Sequence, residues 1–189
     1  MRYILASGSP RRKELLSKVV PEFEIIPAES EEKTTGTQPS EIVEELSFQK
    51  ASEIFHKILT DSTEQTVVIG ADTVVSYNHR VLGKPKDRED AKRMILELQG
   101  NTHEVYTGVT VFYVKDGKEE HFTFHEETKV SVEDMTDEEI TSYVQTGEPD
   151  DFSVLGHDSD LLIMYLHRVV HNIIIRLYIG NTISYLTVS

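Results

Sequence analysis

The chain has 189 residues, a formal net charge of -14 and no cysteine. That length suits one domain, or two small lobes around a cleft, and the missing cysteines exclude a disulfide framework and any thiolate metal site. The acidity argues against polymeric nucleic acid and anionic membranes as partners, because both need a broad basic face, and with no leader-like segment before the first strand the expected location is cytoplasmic.

The apolar stretch Tyr3-Ile4-Leu5-Ala6 predicts a first strand over 3–6. It runs into Ser7-Gly8-Ser9-Pro10, after which 11–18 reads as a helix opened by Pro10. The backbone N–H groups and positive end of that helix then face one spot beside the guanidiniums of Arg11 and Arg12, where an anionic oxygen is the natural guest. Arg2, Arg11, Arg12, Lys13 and Lys18 stand against Glu14 in this opening segment, so the local balance is positive within an acidic chain. An ordinary helix start with solvated arginines is the alternative.

A second strand is expected over 23–26, then a polar loop over 28–39 holding Glu31, Glu32, Gly36 and Pro39. Ser40, with Glu44 nearby, predicts a capped helix over 41–58 with Ile42, Val43, Leu46, Ala51, Ile54 and Phe55 on one side. A buried strand over 67–71 puts Asp72 at its carboxyl end, where open α/β sheets place ligands. A carboxylate there is either a metal ligand and base or a cap for the next turn. Residues 74–77 and 81–82 predict a hairpin turned at Asn78-His79, and 88–98 a helix begun by Asp87 and ended by Gly100. Residues 105–114 and 120–131 read as long strands joined at Asp116-Gly117. His103, at the entry to the first of them, reads as a surface or hairpin polar residue and is left out of the candidate site. A helix over 137–145 capped by Thr136 follows, and the alternation of strands and helices around a central hairpin implies an α/β layered fold.

From residue 152 the composition changes: 4 of 38 positions are charged, against 48 of the preceding 151. Residues 161–179 are largely apolar, but His167, Arg168, His171 and Arg176 interrupt them. This pattern reads as a buried helix or two β-branched strands rather than a membrane span.

In combination, ASGSPRRKELL at the front, GADTVV over 70–75, LGKPKD over 82–87 and LQGNTHEVYTGV over 98–109 resemble the Maf family of nucleotide pyrophosphatases over residues 1–151. The resemblance implies an α/β fold of the Maf and inosine triphosphate pyrophosphatase type, a mixed sheet with flanking helices in two lobes around a cleft. It forms a single Maf-like domain over 1–189, family-like over 1–151 and atypical over 152–189. The implied activity is metal-dependent hydrolysis of a nucleoside triphosphate to the monophosphate and pyrophosphate. Arg11-Arg12 and Asp72-Thr73 resemble the branch acting on dTTP and UTP rather than the one acting on 7-methyl-GTP.

By the same carry-over, Ser7, Arg11 and Arg12 bind substrate phosphate, Glu32 and Asp72 bind Mg²⁺ or Mn²⁺, Asp72 is the first choice for base, and Lys50 and Lys84 complete the catalytic set. Read alone, Glu32 belongs to a solvated charge run, Lys84 to an exposed Gly-Pro turn and Lys50 to an ordinary helix. Hard oxygen ligands such as the two carboxylates suit such a cation and leave coordination positions for phosphate and water. Family members are often dimers, so a homodimer is the partner state the resemblance adds. After Glu148-Pro149 the family continues Asp-Lys-Ala-Gly-x-Tyr-Gly-Ile-Gln-Gly, of which this chain keeps only Asp151. The loss of that glutamine, together with the compositional break, points to a reading-frame shift near codon 151 or to genuine divergence. A weakened catalyst is then expected. The alternatives are a nucleotide-binding protein without turnover and a regulator of septum formation, the last suggested by the family association and by no motif.

Overall fold

The computed structural model describes residues 1–58, 66–115 and 117–145. In chain order these form β1 (Arg2–Leu5), α1 (Pro10–Ser17), β2 (Glu24–Ile25), α2 (Pro39–Ile58), β3 (Thr66–Tyr77), β4 (Arg80–Leu82), α3 (Arg88–Leu98), β5 (Thr102–Lys115), β6 (Lys118–Ser131) and α4 (Asp137–Gln145). The strands make one six-stranded mixed sheet in the order β2-β1-β3-β5-β6, with β4 paired to β3. This is the α/β mixed sheet with flanking helices that the resemblance implies.

β1 lies parallel to both β2 and β3, with Leu5 opposite Ile25 and Ile69. β3 runs antiparallel to β5 from Val67↔Tyr113 to Ser76↔Glu104. The β5–β6 hairpin is in register from Thr102↔Ser131 to Lys115↔Lys118, and Gly117 has φ 71, as a tight turn there requires. Asn78 and His79 both take left-handed φ, 52 and 61, so the β3–β4 hairpin turns where the sequence indicates. α3 starts at its predicted cap, Asp87 accepting from Asp90 N at 2.8 Å, and Gly100 beyond its end has φ 67. Thr136 and Glu139 satisfy one another reciprocally at the start of α4.

The expectations for β3, α2 and α1 need correction. β3 does not stop at residue 71, because Gly70-Ala71-Asp72-Thr73 keep their ladder to β5 and break the apolar pattern without breaking the pairing. Asp72 is therefore mid-strand rather than at a strand's carboxyl end; what ends near it is β1, whose last pair with β3 is Leu5↔Ile69. α2 starts at Pro39 rather than 41. Proline suits a first helical position, and the Glu41 carboxylate reaches back to Thr37 N and Gln38 N at 3.0 and 3.2 Å, so Ser40 is not the cap. α1 begins at Pro10 and ends at Ser17, one residue earlier than expected at each end.

The sheet is covered on both faces. On one, Leu16 and Val20 from the α1 region pack on Leu5, Val67, Ile69, Val109 and Val111. On the other, Ala51, Ile54 and Phe55 of α2 pack on Ile4, Ala6, Val68 and Phe112, with Phe55 and Phe112 ring centroids 5.2 Å apart. Each fully buried Leu, Ile, Val or Phe among these contributes roughly 1.5–3 kcal/mol. α3 and α4 join through Ala91, Ile95, Ile140 and Val144. Among the described residues no helix is long and apolar enough to cross a membrane. The expectations for 146–189 lie outside the described residues.

α2 lies unusually close to the sheet at two glycines. A Cβ on Gly70 would sit 2.5 Å from Ser47 O and 2.7 Å from Ala51 N, and one on Gly108 2.9 Å from Glu44 N and nearer still to the Val43 carbonyl. Backbone cannot retreat as a side-chain tip can. Gly70→Ala and Gly108→Ala should each lower unfolding free energy by about 1–3 kcal/mol or more, the usual cost of overpacking. Gly83→Ala, with nothing within 4 Å of its Cβ, should leave it unchanged. Urea titration checks this, and neutral values at 70 and 108 would contradict the close docking.

Candidate functional site

The approach of α2 to β3 sets the site. Gly70 meets the helix at Ser47 and Ala51, so Lys50, the residue before Ala51, stands over Asp72, two residues further along the strand. Lys50 Nζ donates to Asp72 Oδ1 and lies 2.9 Å from Glu32 Oε1. One ammonium therefore bridges the two carboxylates assigned to the cation. Asp72 is buried at 7% exposure, and burial of a charge in such a place is tolerable only with a partner of opposite sign.

α1 supplies the second cation. Arg12 donates through one guanidinium nitrogen to Ser7 Oγ at 3.0 Å and places the other 3.9 Å from Asp72 Oδ1. Ser7 is buried just beyond β1, and its Oγ also accepts from Ser9 N at 3.3 Å, so the hydroxyl fixes both the loop and the arginine. Ser9 occupies the helix N-cap with extended backbone and contributes no side-chain cap. Arg11 shares the first turn of α1, rotated roughly 100° from Arg12 about the helix axis.

Lys84 is exposed in the loop after β4 and joins the cluster through its field. The hydrogen bond from Lys50 holds the Glu32 carboxyl below its ordinary value against the opposing effect of burial, and the charges of Lys50, Lys84 and Arg12 add to it. The structure thus brings Ser7, Arg12, Glu32, Lys50 and Asp72 into one chain of contacts, with Lys84 acting on it from outside.

Glu32 and Asp72 are the residues able to hold a cation here. Their oxygens already converge on one positive atom, which shows that the two carboxylates reach a common point. Among the described residues no group of three or more His, Cys, Asp and Glu could enclose a metal. A pair of carboxylates sharing an ion with substrate phosphates and water is the usual arrangement for Mg²⁺, so the donor set fits.

Two features escaped the sequence reading. The glycine contacts at 70 and 108 depend on a helix far away in the chain. His103 is a correction: it is 1% exposed, not a surface residue, because it pairs with Val130 on the same inward face of the hairpin. Its Nδ1 has no hydrogen-bond partner among the described residues, and burial pushes the imidazole pKa down.

A sequence profile for a family described as Maf-like protein matches residues 2–167. The chain belongs to the Maf family. Relatives include the dTTP/UTP pyrophosphatase of Agathobacter rectalis, 50% identical over 157 residues that cover 78% of this chain and 77% of that protein. The dTTP/UTP pyrophosphatase of Lachnoclostridium phytofermentans is 49% identical over 149 residues, covering 78% and 74%. That of Bacillus cytotoxicus is 47% identical over 150 residues, covering 78% and 73%. The family match extends past Asp151 to residue 167.

The buried imidazole of this Maf-family chain gives a signed expectation. A histidine kept neutral by burial takes up its proton more readily when unfolded, so stability should fall as pH drops below the ordinary value of 6.5. His103→Leu should flatten the dependence of unfolding free energy between pH 7 and pH 5. An unchanged slope in the variant would show that His103 is not its source.

Proposed function

We propose that the chain is a metal-dependent nucleoside triphosphate pyrophosphatase acting on dTTP and UTP. Water attacks the α phosphorus, the bond from that phosphorus to the oxygen bridging α and β breaks, and the products are the monophosphate and pyrophosphate. The observation that carries the reading is the Lys50 ammonium shared by Glu32 and Asp72, with Arg12 beside it on a Ser7 anchor. The relatives, dTTP/UTP pyrophosphatases, supply the substrate class.

In the proposed roles, Arg12, held by Ser7, and Lys84 face the phosphates and offset the charge that builds on the departing pyrophosphate; Arg11 adds to the positive end of α1. Asp72 Oδ1 is engaged by Lys50 and Arg12, which leaves Oδ2 to take the proton of the attacking water. Lys50 holds the two carboxylates at a fixed separation before substrate arrives. A Mg²⁺ or Mn²⁺ ion on Glu32 and Asp72, when bound, supplies charge neutralisation at the phosphate oxygens. A cytoplasmic location accords with a cysteine-free acidic chain. A homodimer is carried by the family resemblance alone.

Asp72→Asn should lower turnover by at least about 10²-fold, the contribution typical of general-base catalysis. Nucleotide binding should stay within about tenfold, ~1.4 kcal/mol, since the cationic contacts remain. Product analysis with dTTP gives the complementary readout, dTMP and pyrophosphate being expected. Release of inorganic phosphate with dTDP, or an equal rate without any divalent cation, would refute the assignment.

A further inference from the structure

The loop between β2 and α2 has no strand ladder of its own, yet its backbone is held along nearly its whole length. Glu41, Glu45, Gln49 and Glu53 recur every fourth residue of α2 and so share one stripe of that helix. Glu53 accepts from Glu29 N and Ser30 N at 2.9 and 3.1 Å, and Gln49 from Lys33 N at 3.1 Å. Glu45 accepts from Thr35 N and Gly36 N at 2.7 and 3.2 Å, and Glu41 from Thr37 N and Gln38 N at 3.0 and 3.2 Å. The loop therefore runs antiparallel down the helix, one backbone contact group per helical turn. Gln49 Nε2 returns a bond to the Lys33 carbonyl, and Glu45 also takes the hydroxyls of Thr34 and Thr35 at 2.6 and 2.9 Å.

Glu32 lies inside this clamped stretch, but its carboxylate pairs with Lys50, the residue after Gln49. Ordering a loop that lacks its own ladder is entropically unfavourable, and carboxylate bonds to backbone N–H groups are of the stronger, charge-assisted kind. We infer that Glu45, Gln49 and Glu53 are positioning residues for Glu32: the stripe fixes the loop so that the Glu32 carboxylate stays beside Lys50 and Asp72 during the reaction. This rests on the cation-binding role proposed for Glu32. The hydrogen bonds to Glu45, led by the Thr34 hydroxyl, push its carboxyl down from 4.5 to about 2. The contribution of this clamp is thus fully present above pH 4.5 and is lost only as pH falls toward about 2.

The test compares Glu45→Ala, Glu32→Ala and the double variant in the full chain, by initial rate against Mg²⁺ concentration at saturating dTTP. Thermal midpoint and tryptic cleavage after Lys33 are followed in parallel, with Gln49→Ala as a second probe should Glu45→Ala fail to fold. Glu45→Ala is expected to fold with a lowered thermal midpoint, to be cut faster after Lys33, and to need more Mg²⁺ with a rate lowered about tenfold or more, as for residues that support a metal ligand. In the Glu32→Ala background the same substitution should cost less than about twofold, because both act through one carboxylate. Glu45→Gln, which keeps one acceptor oxygen, should recover part of the rate. Additive losses in the double variant overturn the inference, as does a wild-type rate and Mg²⁺ dependence in Glu45→Ala beside an impaired Glu32→Ala. A wild-type rate in Glu32→Ala would instead remove the role of Glu32 itself, and the inference with it, whatever the loop cleavage shows.

Discussion

The backbone of α2 rests directly on β3 and β5, and the site depends on that contact. Two glycines in adjacent strands, Gly70 and Gly108, leave no Cβ between helix and sheet, so the helix drops to within backbone contact at Val43, Ser47 and Ala51. Ser47 then reaches Thr110 across the seam, hydroxyl to hydroxyl at 2.9 Å, with both groups buried. At this depth the Lys50 side chain meets a strand residue, Asp72, rather than solvent. A helix held further out by ordinary side chains would carry the same lysine away from the same carboxylate, since side chains at such an interface hold helix and strand backbones apart.

Electrostatics follows from that placement. The chain is strongly acidic, yet its candidate site gathers Arg12, Lys50 and Lys84 around two carboxylates. A buried carboxylate such as Asp72 is costly when unpaired, and the pairing with Lys50 offsets that cost. Ser7 has a matching role on the other side. Its hydroxyl anchors the Arg12 guanidinium, so that one cation comes from the end of β1 and α1 and another from α2, and the two meet over the middle of β3. Charge of opposite sign is thereby fixed before a polyanionic substrate arrives, the kind of preorganisation that makes electrostatic catalysis effective.

What the sequence could reveal was set by how local each signal is. The β3–β4 turn, the Asp87 cap and the Thr136 cap are written within a few residues, and the structure contains them as read. Gly70-Ala71-Asp72-Thr73 looked like the end of a strand because polarity interrupts the apolar run. Only the distant partner β5 shows that the strand continues. The start of α2 was misplaced because Ser40 is a good cap by type, whereas Glu41 wins by reaching back over Pro39. Lys50 carried no signal of its own and was named through family resemblance alone. His103 was misread because its burial depends on the inward face of the β5–β6 hairpin rather than on its neighbours in sequence. The α2 stripe went unread, because its partners are backbone N–H groups, which no side-chain pattern encodes.

The central claim is that α2, β3 and the clamped loop bring Glu32 and Asp72 to one cation position beside Lys50. A crystal of the chain with Mn²⁺ and a non-hydrolysable dTTP analogue, measured at the manganese absorption edge, tests it most directly. The account predicts one anomalous peak in contact with carboxylate oxygens of both Glu32 and Asp72, with the phosphates against Arg12. A manganese peak that touches neither carboxylate, with the nucleotide phosphates bound away from Arg12, would contradict it.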